Sequence, residues 1–357
     1  MDVKASPYSN LKIFHHAELL KKIEQGERVA PIYIRLKPTN VCNHRCYYCS
    51  YADSALGLRD SVQKQDQIPW EKLQEIIRDM RDMGVKAVTF SGGGEPLTYP
   101  HIVDAMQMML DGGIDLSIIT NGQLLKGDRA KVLTQAKWVR VSCDAARKET
   151  FAKIRNLPET ALDEVCRNLA DFAKAKPDSC ELGVNFVIHH ENYAEIYEMA
   201  KKMKALGINH VKYAARITKD LFTYHESFKG DAIRQLEQAK RDFEDEHFRV
   251  IDKYASDFDT AMVFERKYHT CYINKFFTVI AADTKLYFCH DKAYVSSGVV
   301  ADLREKSFKE VWFSPEVQER YRIFDAEKEC KHHCVYDDRN ILLNTFFSLD
   351  KKHINFI

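Results

Sequence analysis

Pro31-Ile32-Tyr33-Ile34-Arg35-Leu36-Lys37-Pro38-Thr39-Asn40-Val41-Cys42-Asn43-His44-Arg45-Cys46-Tyr47-Tyr48-Cys49 decides how the rest of the chain is read. Residues 32–36 have strand character, and a loop with three cysteines spaced C-x3-C-x2-C follows at once. Three thiolates on one loop can ligate three irons of a cubane cluster and leave the fourth iron without a protein ligand. A structural zinc site is the alternative, but it wants a fourth ligand at closed tetrahedral spacing, and His44 sits between two of the cysteines, poorly placed to supply it.

Downstream, short β-branched or apolar runs alternate with helical patterns, the signature of βα units on a parallel sheet. Strands are expected at 32–36, 85–90, 116–120, 138–143, 181–188 and 210–215. After the first, Leu73, Ile76, Ile77 and Met80 mark one helical face between Pro69 and Gly84, and Ile196, Met199, Ala200 and Met203 repeat the spacing before Gly207. Six units predict an α/β fold, a partial (β/α)6 TIM-like barrel left open where eight would close it. Residues 1–30 form an N-terminal extension with a short helix at 17–25, 31–216 the barrel, and 217–265 a charged connecting segment with one helix over 231–246. A small α+β domain is expected at 266–340, with strands at 275–281 and 285–289 and a helix from 307 continuing past Pro315; 341–357 is a tail.

The 357 residues carry 53 Lys and Arg against 52 Asp and Glu, so bulk charge recommends neither nucleic acid nor an anionic membrane as partner. No apolar run reaches the roughly 18 residues of a membrane span, and the polar start lacks a secretory signal, so a cytoplasmic location is expected. There, ten cysteines point to metal binding or catalysis rather than disulfides.

Side chains alternate between the faces of a strand. Around the fourth strand, Val139, Val141 and Cys143 share the face expected to meet helices, and Arg140, Ser142 and Asp144 the face toward the lumen. Cys143 is a candidate hydrogen-atom donor, but this parity turns it away from the lumen toward ordinary burial. Arg35 and Lys37, and Asn185 and His189, lie opposite Ile34, Leu36, Phe186 and Ile188. Barrel lumens normally pack branched apolar residues. Inward charges and amides need partners, so these four are candidate contacts to a polar substrate.

The run from Cys42 to Cys49, with aromatic Tyr48 and its place after the first strand, resembles the radical S-adenosylmethionine (SAM) superfamily. The resemblance implies a SAM-binding 4Fe-4S cluster on Cys42, Cys46 and Cys49, with Tyr48 near the adenine. Gly93-Gly94-Glu95-Pro96 is similar to the family's element for the methionyl amino group, Asn121 falls in a further family feature, Thr120-Asn121-Gly122, and Ser142 and Arg155 correspond to positions that contact the ribose and carboxylate. Cys271, Cys289, Cys330 and Cys334 resemble the shortened auxiliary domain called Twitch, a reduced form of SPASM, which implies a second 4Fe-4S cluster. By ligand chemistry zinc is the alternative there, and His332 or His333, inside the final C-x3-C, is an alternative ligand. Cys166 and Cys180 match no motif. The implied activity is generation of a 5′-deoxyadenosyl radical fed by a flavodoxin- or ferredoxin-type donor. The expected substrate is a small polar sugar or nucleotide derivative, oxidised or epimerised; a ribosomally made precursor peptide, or a non-catalytic metal scaffold, are the other readings.

Overall fold

The computed structural model describes residues 9–52, 59–218, 220–255, 258, 265–331 and 334–355. Six parallel strands lie where the sequence places them: β1 (Tyr33–Leu36), β2 (Ala87–Phe90), β3 (Asp115–Thr120), β4 (Trp138–Ser142), β5 (Glu181–Ile188) and β6 (His210–Ala215). The helix Trp70–Met83 returns the chain from β1 to β2 and buries Leu73, Ile76, Ile77 and Met80 against the sheet; Gly84, at φ +79°, ends it in the left-handed region where glycine carries no steric penalty.

The sheet is wider than six strands. A seventh parallel strand, β7 (Arg249–Asp252), pairs with β6 inside the stretch read as a connecting segment. On the opposite edge β8 (Phe277–Ile280) runs parallel to β1, and β9 (Lys285–Tyr287) and β10 (Val299–Asp302) extend it antiparallel, giving the open order β10-β9-β8-β1-β2-β3-β4-β5-β6-β7. Without β8, β1 would present a row of bare backbone donors and acceptors. Instead Ile32 N donates to Phe276 O at 2.8 Å and Lys37 N to Ile280 O at 2.8 Å. The cysteine-rich C-terminal region therefore continues the barrel's own sheet.

Two further elements differ from expectation. The helix expected to run through Pro315 is two helices, Phe308–Trp312 and Pro315–Ile323, because proline cannot continue the ladder and disfavours helical backbone at the residue before it; Ser314, at ψ 148°, caps the second. The helix Asp337–Ser348 crosses position 340, where the tail was expected to begin, and buries Asn340 and Leu343. The helix Ala17–Glu24, whose role the sequence leaves open, packs Leu20 and Ile23 into the same cluster as Phe276, Phe277 and Leu343. Arg28 adds a cation–π clamp, its guanidinium 3.9 Å from the Trp312 ring and 3.8 Å from Tyr321.

Leu343→Ala is expected to lower unfolding free energy by about 2–5 kcal/mol, whereas Ile341→Ala, two residues away and 49% exposed, is expected to change it little. Urea midpoints of the two variants check this, and equal losses would show that this helix does not anchor the second core.

Candidate metal and cofactor site

The three-cysteine loop is held from below by the turns that follow β2 and β3. Gly94 N donates to Thr39 O at 3.1 Å and Glu95 N to Val41 O at 2.9 Å. A Cβ on Gly94 would stand 2.1 Å from the Val41 carbonyl oxygen, and one on Gly93 would stand 1.9 Å from Asn40 Oδ1. The glycines are thus required because this turn touches Asn40 and the backbone leading into Cys42.

Glu95 is buried, and its carboxylate is engaged by the fold. Oε1 accepts from Thr120 Oγ1 at 2.6 Å and Leu97 N at 3.0 Å, and Oε2 accepts from Asn121 N at 2.7 Å. Burial raises its pKa and these hydrogen bonds oppose the rise. Asn121 in turn donates to Asn43 Oδ1 at 2.7 Å, and Asn43 donates to Gln123 Oε1 at 2.8 Å. His44 also meets Gln123 Oε1, at 3.0 Å, with its pKa pushed down to about 4 by burial. Glu95, Asn121 and His44 therefore position the cysteine loop from inside the protein.

Asp144, on the lumen side of the strand-four parity but assigned no role from sequence, is the hub of the next layer. Its Oδ2 receives both the Tyr48 hydroxyl and Arg155 Nη2, and its Oδ1 accepts from Val187 N at 2.8 Å. Arg155 also donates to Ser142 O at 3.0 Å and reaches Cys46 Sγ at 3.4 Å. Tyr48, Ser142 and Arg155 thus share one network with a cluster cysteine. His189 joins this side: its ring centroid is 5.3 Å from that of Tyr48, and Nδ1 lies 3.3 Å from the Tyr47 hydroxyl. Burial drives its pKa down to about 3. Arg35 and Lys37 lie on another side of the lumen, where Lys37 Nζ donates to Tyr51 Oη at 2.8 Å and Gly92 O at 2.7 Å. Asn185 stands opposite Ser142 and Lys212 in the sheet register. Cys143 is fully buried in the apolar cluster, with Sγ 3.6 Å from Ala145 O and burial raising its pKa to about 12. Cys180 is likewise buried, its sulfur toward Leu133 O at 3.7 Å.

The second cysteine group converges. Charge on Cys271 acts on Cys289, Cys330 and Cys334, that on Cys330 acts on Cys289 and that on Cys289 on Cys334, and burial holds all four as high-pKa thiols that metal binding would deprotonate. Asn340 Nδ2 donates to Cys271 Sγ at 3.4 Å and Asn340 Oδ1 accepts from Ile273 N at 3.0 Å, so the helix Asp337–Ser348 supports this loop. His332 and His333 lie outside the described residues. Sulfur spacing speaks to the metal. Zinc at about 2.3 Å from each sulfur demands sulfurs about 3.8 Å apart. Among the described residues the one group with three ligand atoms within 4.8 Å is the His269, Asp325 and Glu327 set, not either cysteine set. Neither cysteine set is thus drawn in to the closed spacing of a zinc site.

The comparisons agree with this geometry. Residues 36–203 match the family described as Radical SAM superfamily, and 271–335 match SPASM, the iron-sulfur cluster-binding domain. A probable GTP 3′,8-cyclase of Saccharolobus islandicus is 26% identical over 60% of this chain and 68% of its own length. The GTP 3′,8-cyclase of Aliarcobacter butzleri is 30% identical over 47% of this chain and 51% of its own. Streptococcus suis SuiB bound to S-adenosylmethionine superposes with a TM-score of 0.61 at 16% identity over 90% of this chain and 75% of its own, and anSMEcpe with bound AdoMet with 0.58 at 16% identity over 89% and 97%. These two likenesses bear on the fold. No described helix is long and apolar enough to cross a membrane.

Asp144→Ala is expected to leave Arg155 buried without its counter-charge at a cost of about 3–5 kcal/mol, and adding Arg155→Met should recover part of that loss. Denaturation of the single and double variants forms the cycle; strictly additive losses would remove Asp144 from the network.

Proposed function

Because the chain belongs to the radical SAM superfamily and carries a C-terminal iron-sulfur cluster-binding domain, we propose that it abstracts hydrogen from a small polar substrate, a sugar or nucleotide derivative, in an oxidation or epimerisation. The observation that carries the substrate reading is the polar lumen: Arg35, Lys37, Thr89, Ser117, Arg140, Ser142 and Asn185 occupy lumen-side positions on five adjacent strands, where apolar layers normally pack. The cyclase relatives add a nucleotide precedent.

Cys42, Cys46 and Cys49 would hold the SAM cluster, and Cys271, Cys289, Cys330 and Cys334 the auxiliary one. When bound, cluster and SAM together supply a 5′-deoxyadenosyl radical, the species that removes hydrogen from an unactivated carbon. This chain's own residues bind and orient. Tyr48 and His189 would offer ring faces for the adenine, the Gly93-Gly94 turn beneath the cysteine loop would meet the methionyl end, and Ser142 and Arg155 would offer polar contacts for ribose and carboxylate. Glu95 and Asn121 act one step back, as positioning residues. A flavodoxin- or ferredoxin-type protein would supply the electron. A second reading, a maturase of a ribosomally made peptide, draws on neighbours in fold: SuiB has been crystallised with the precursor peptide SuiA and anSMEcpe with the Kp18Cys peptide.

Anaerobic reconstitution is expected to give about eight irons per chain and release of 5′-deoxyadenosine from SAM on reduction. Cys42→Ala should abolish cleavage, while Cys289→Ala should lose about four irons and keep it. Zinc in place of iron, with SAM intact, would overturn the enzyme reading. Hydrogen abstraction from a peptide but from no sugar or nucleotide would select the second.

A further inference from the structure

The helix Asp337–Ser348 places an amide where an apolar side chain would pack at lower cost. Asn340 is 1% exposed and lies inside the helix, three residues from fully buried Leu343 on the same face. Asparagine is a poor helix former, and a buried amide is unfavourable unless both of its ends are hydrogen-bonded. Here both ends are engaged, and by one loop. Oδ1 accepts from Ile273 N at 3.0 Å, and Nδ2 donates to Cys271 Sγ at 3.4 Å. A backbone N–H can only donate, so the bond from Ile273 fixes which end of the amide meets the sulfur, namely the NH2 end. One turn further on, Asn344 Nδ2 donates to Thr270 O at 3.0 Å and to Asn340 O at 2.8 Å. The two asparagines thus hold the chain on either side of Cys271, and Asn340 is the one that reaches its sulfur.

Cys271 packs against the small apolar cluster of Tyr268, Ala326 and Cys330, and it joins Cys289 and Cys334 at the edge of the core that contains Ile273 and Leu343. Four thiols meeting there, in a segment that matches an iron-sulfur cluster-binding domain, are the donor set of a 4Fe-4S cluster. Reducing such a cluster adds an electron and makes its sulfurs better acceptors. An N–H aimed at a ligand sulfur therefore favours the reduced form, more strongly away from water, and the potential rises. A brace for the loop needs no donor on the sulfur, since Asn344 and the bond from Ile273 to Oδ1 already provide one.

We propose that Asn340 is a positioning residue that raises the reduction potential of the auxiliary cluster through its hydrogen bond to Cys271, so that the C-terminal helix sets how readily that cluster accepts an electron. The inference concerns the cluster and holds whichever substrate the lumen takes. Asn344 holds the same loop without acting on the potential.

The test is a redox titration of the anaerobic, reconstituted holoprotein followed by electron paramagnetic resonance, with SAM added to mark the signal of the cluster at Cys42. In Asn340→Leu the ratio of reduced to oxidised auxiliary cluster at a fixed potential is expected to fall about threefold to tenfold. Asn340→Asp keeps an acceptor for Ile273 N but exchanges the donor for a negative charge, and the ratio should fall further. Asn344→Ala should leave it where it is, and the SAM-marked signal should titrate unchanged in all three. Full iron content identifies the variants whose auxiliary site is intact. If both Asn340 variants lose that iron, the unaltered protein decides: grown with asparagine isotopically labelled at its side-chain nitrogen, its reduced auxiliary cluster is expected to show a hyperfine coupling to that nitrogen. Absence of the coupling overturns the proposal. So does an unchanged ratio in Asn340 variants of full iron content, or a shift in Asn344→Ala as large as in Asn340→Leu, which would make the effect a loosening of the loop. Zinc in place of iron at these four cysteines overturns it too, while 5′-deoxyadenosine release, followed in parallel, tests the radical reading separately.

Discussion

The carboxylate of Glu95 is the interaction on which the site depends. Buried beneath the cysteine loop, it ties the turn after β2 to the turn after β3 through Thr120 and Asn121. The main chain around it grips Thr39 and Val41. A loop with three ligands cannot be stiff by itself, since its backbone has few ladder bonds of its own. Rigidity is borrowed from two neighbouring strands through one buried acid, whose desolvation is offset by three donors. Asn121, Asn43, Gln123 and His44 extend that grip from the third strand to the middle of the cysteine run.

Much of this was legible in the residues because it is local. Strand character before Cys42, the i, i+3, i+4, i+7 face of Leu73 to Met80 and the C-x3-C-x2-C spacing are short-range patterns that neighbours cannot overrule. Period-two parity around strand four turned Cys143 into the core and Ser142 and Asp144 inward. What stayed hidden depends on pairing across the chain. β8 meets β1 from more than 240 residues away, and β7 is four residues long in a charged stretch. Glu95 read only as part of the element for the methionyl amino group, because nothing in Gly-Gly-Glu-Pro announces that Thr120 and Asn121 close over it. Asp144 carried the signal that could have found it, an acid on the inward parity, yet its two side-chain partners are Tyr48 and Arg155, on either side of it in sequence.

The electrostatics of the lumen divide it in two. Around Tyr48, Asp144 and Arg155 the charges are matched within the protein. Around Arg35 and Arg59 the hydrogen bonds run to neutral oxygens. The lumen thus offers two chemically different walls.

The pairing of β8 with β1 carries a consequence for dissection of the molecule. The Cys42 loop leaves the C-terminal end of β1, whereas β9 runs antiparallel two strands away, so Cys289 beyond it falls back toward the level of Tyr33 and Phe277, and one continuous hydrogen-bonded ribbon joins the two cysteine loops. Excising the C-terminal third would not liberate a self-sufficient barrel, because it would uncover the whole edge of β1 and leave that edge open to pairing with other chains.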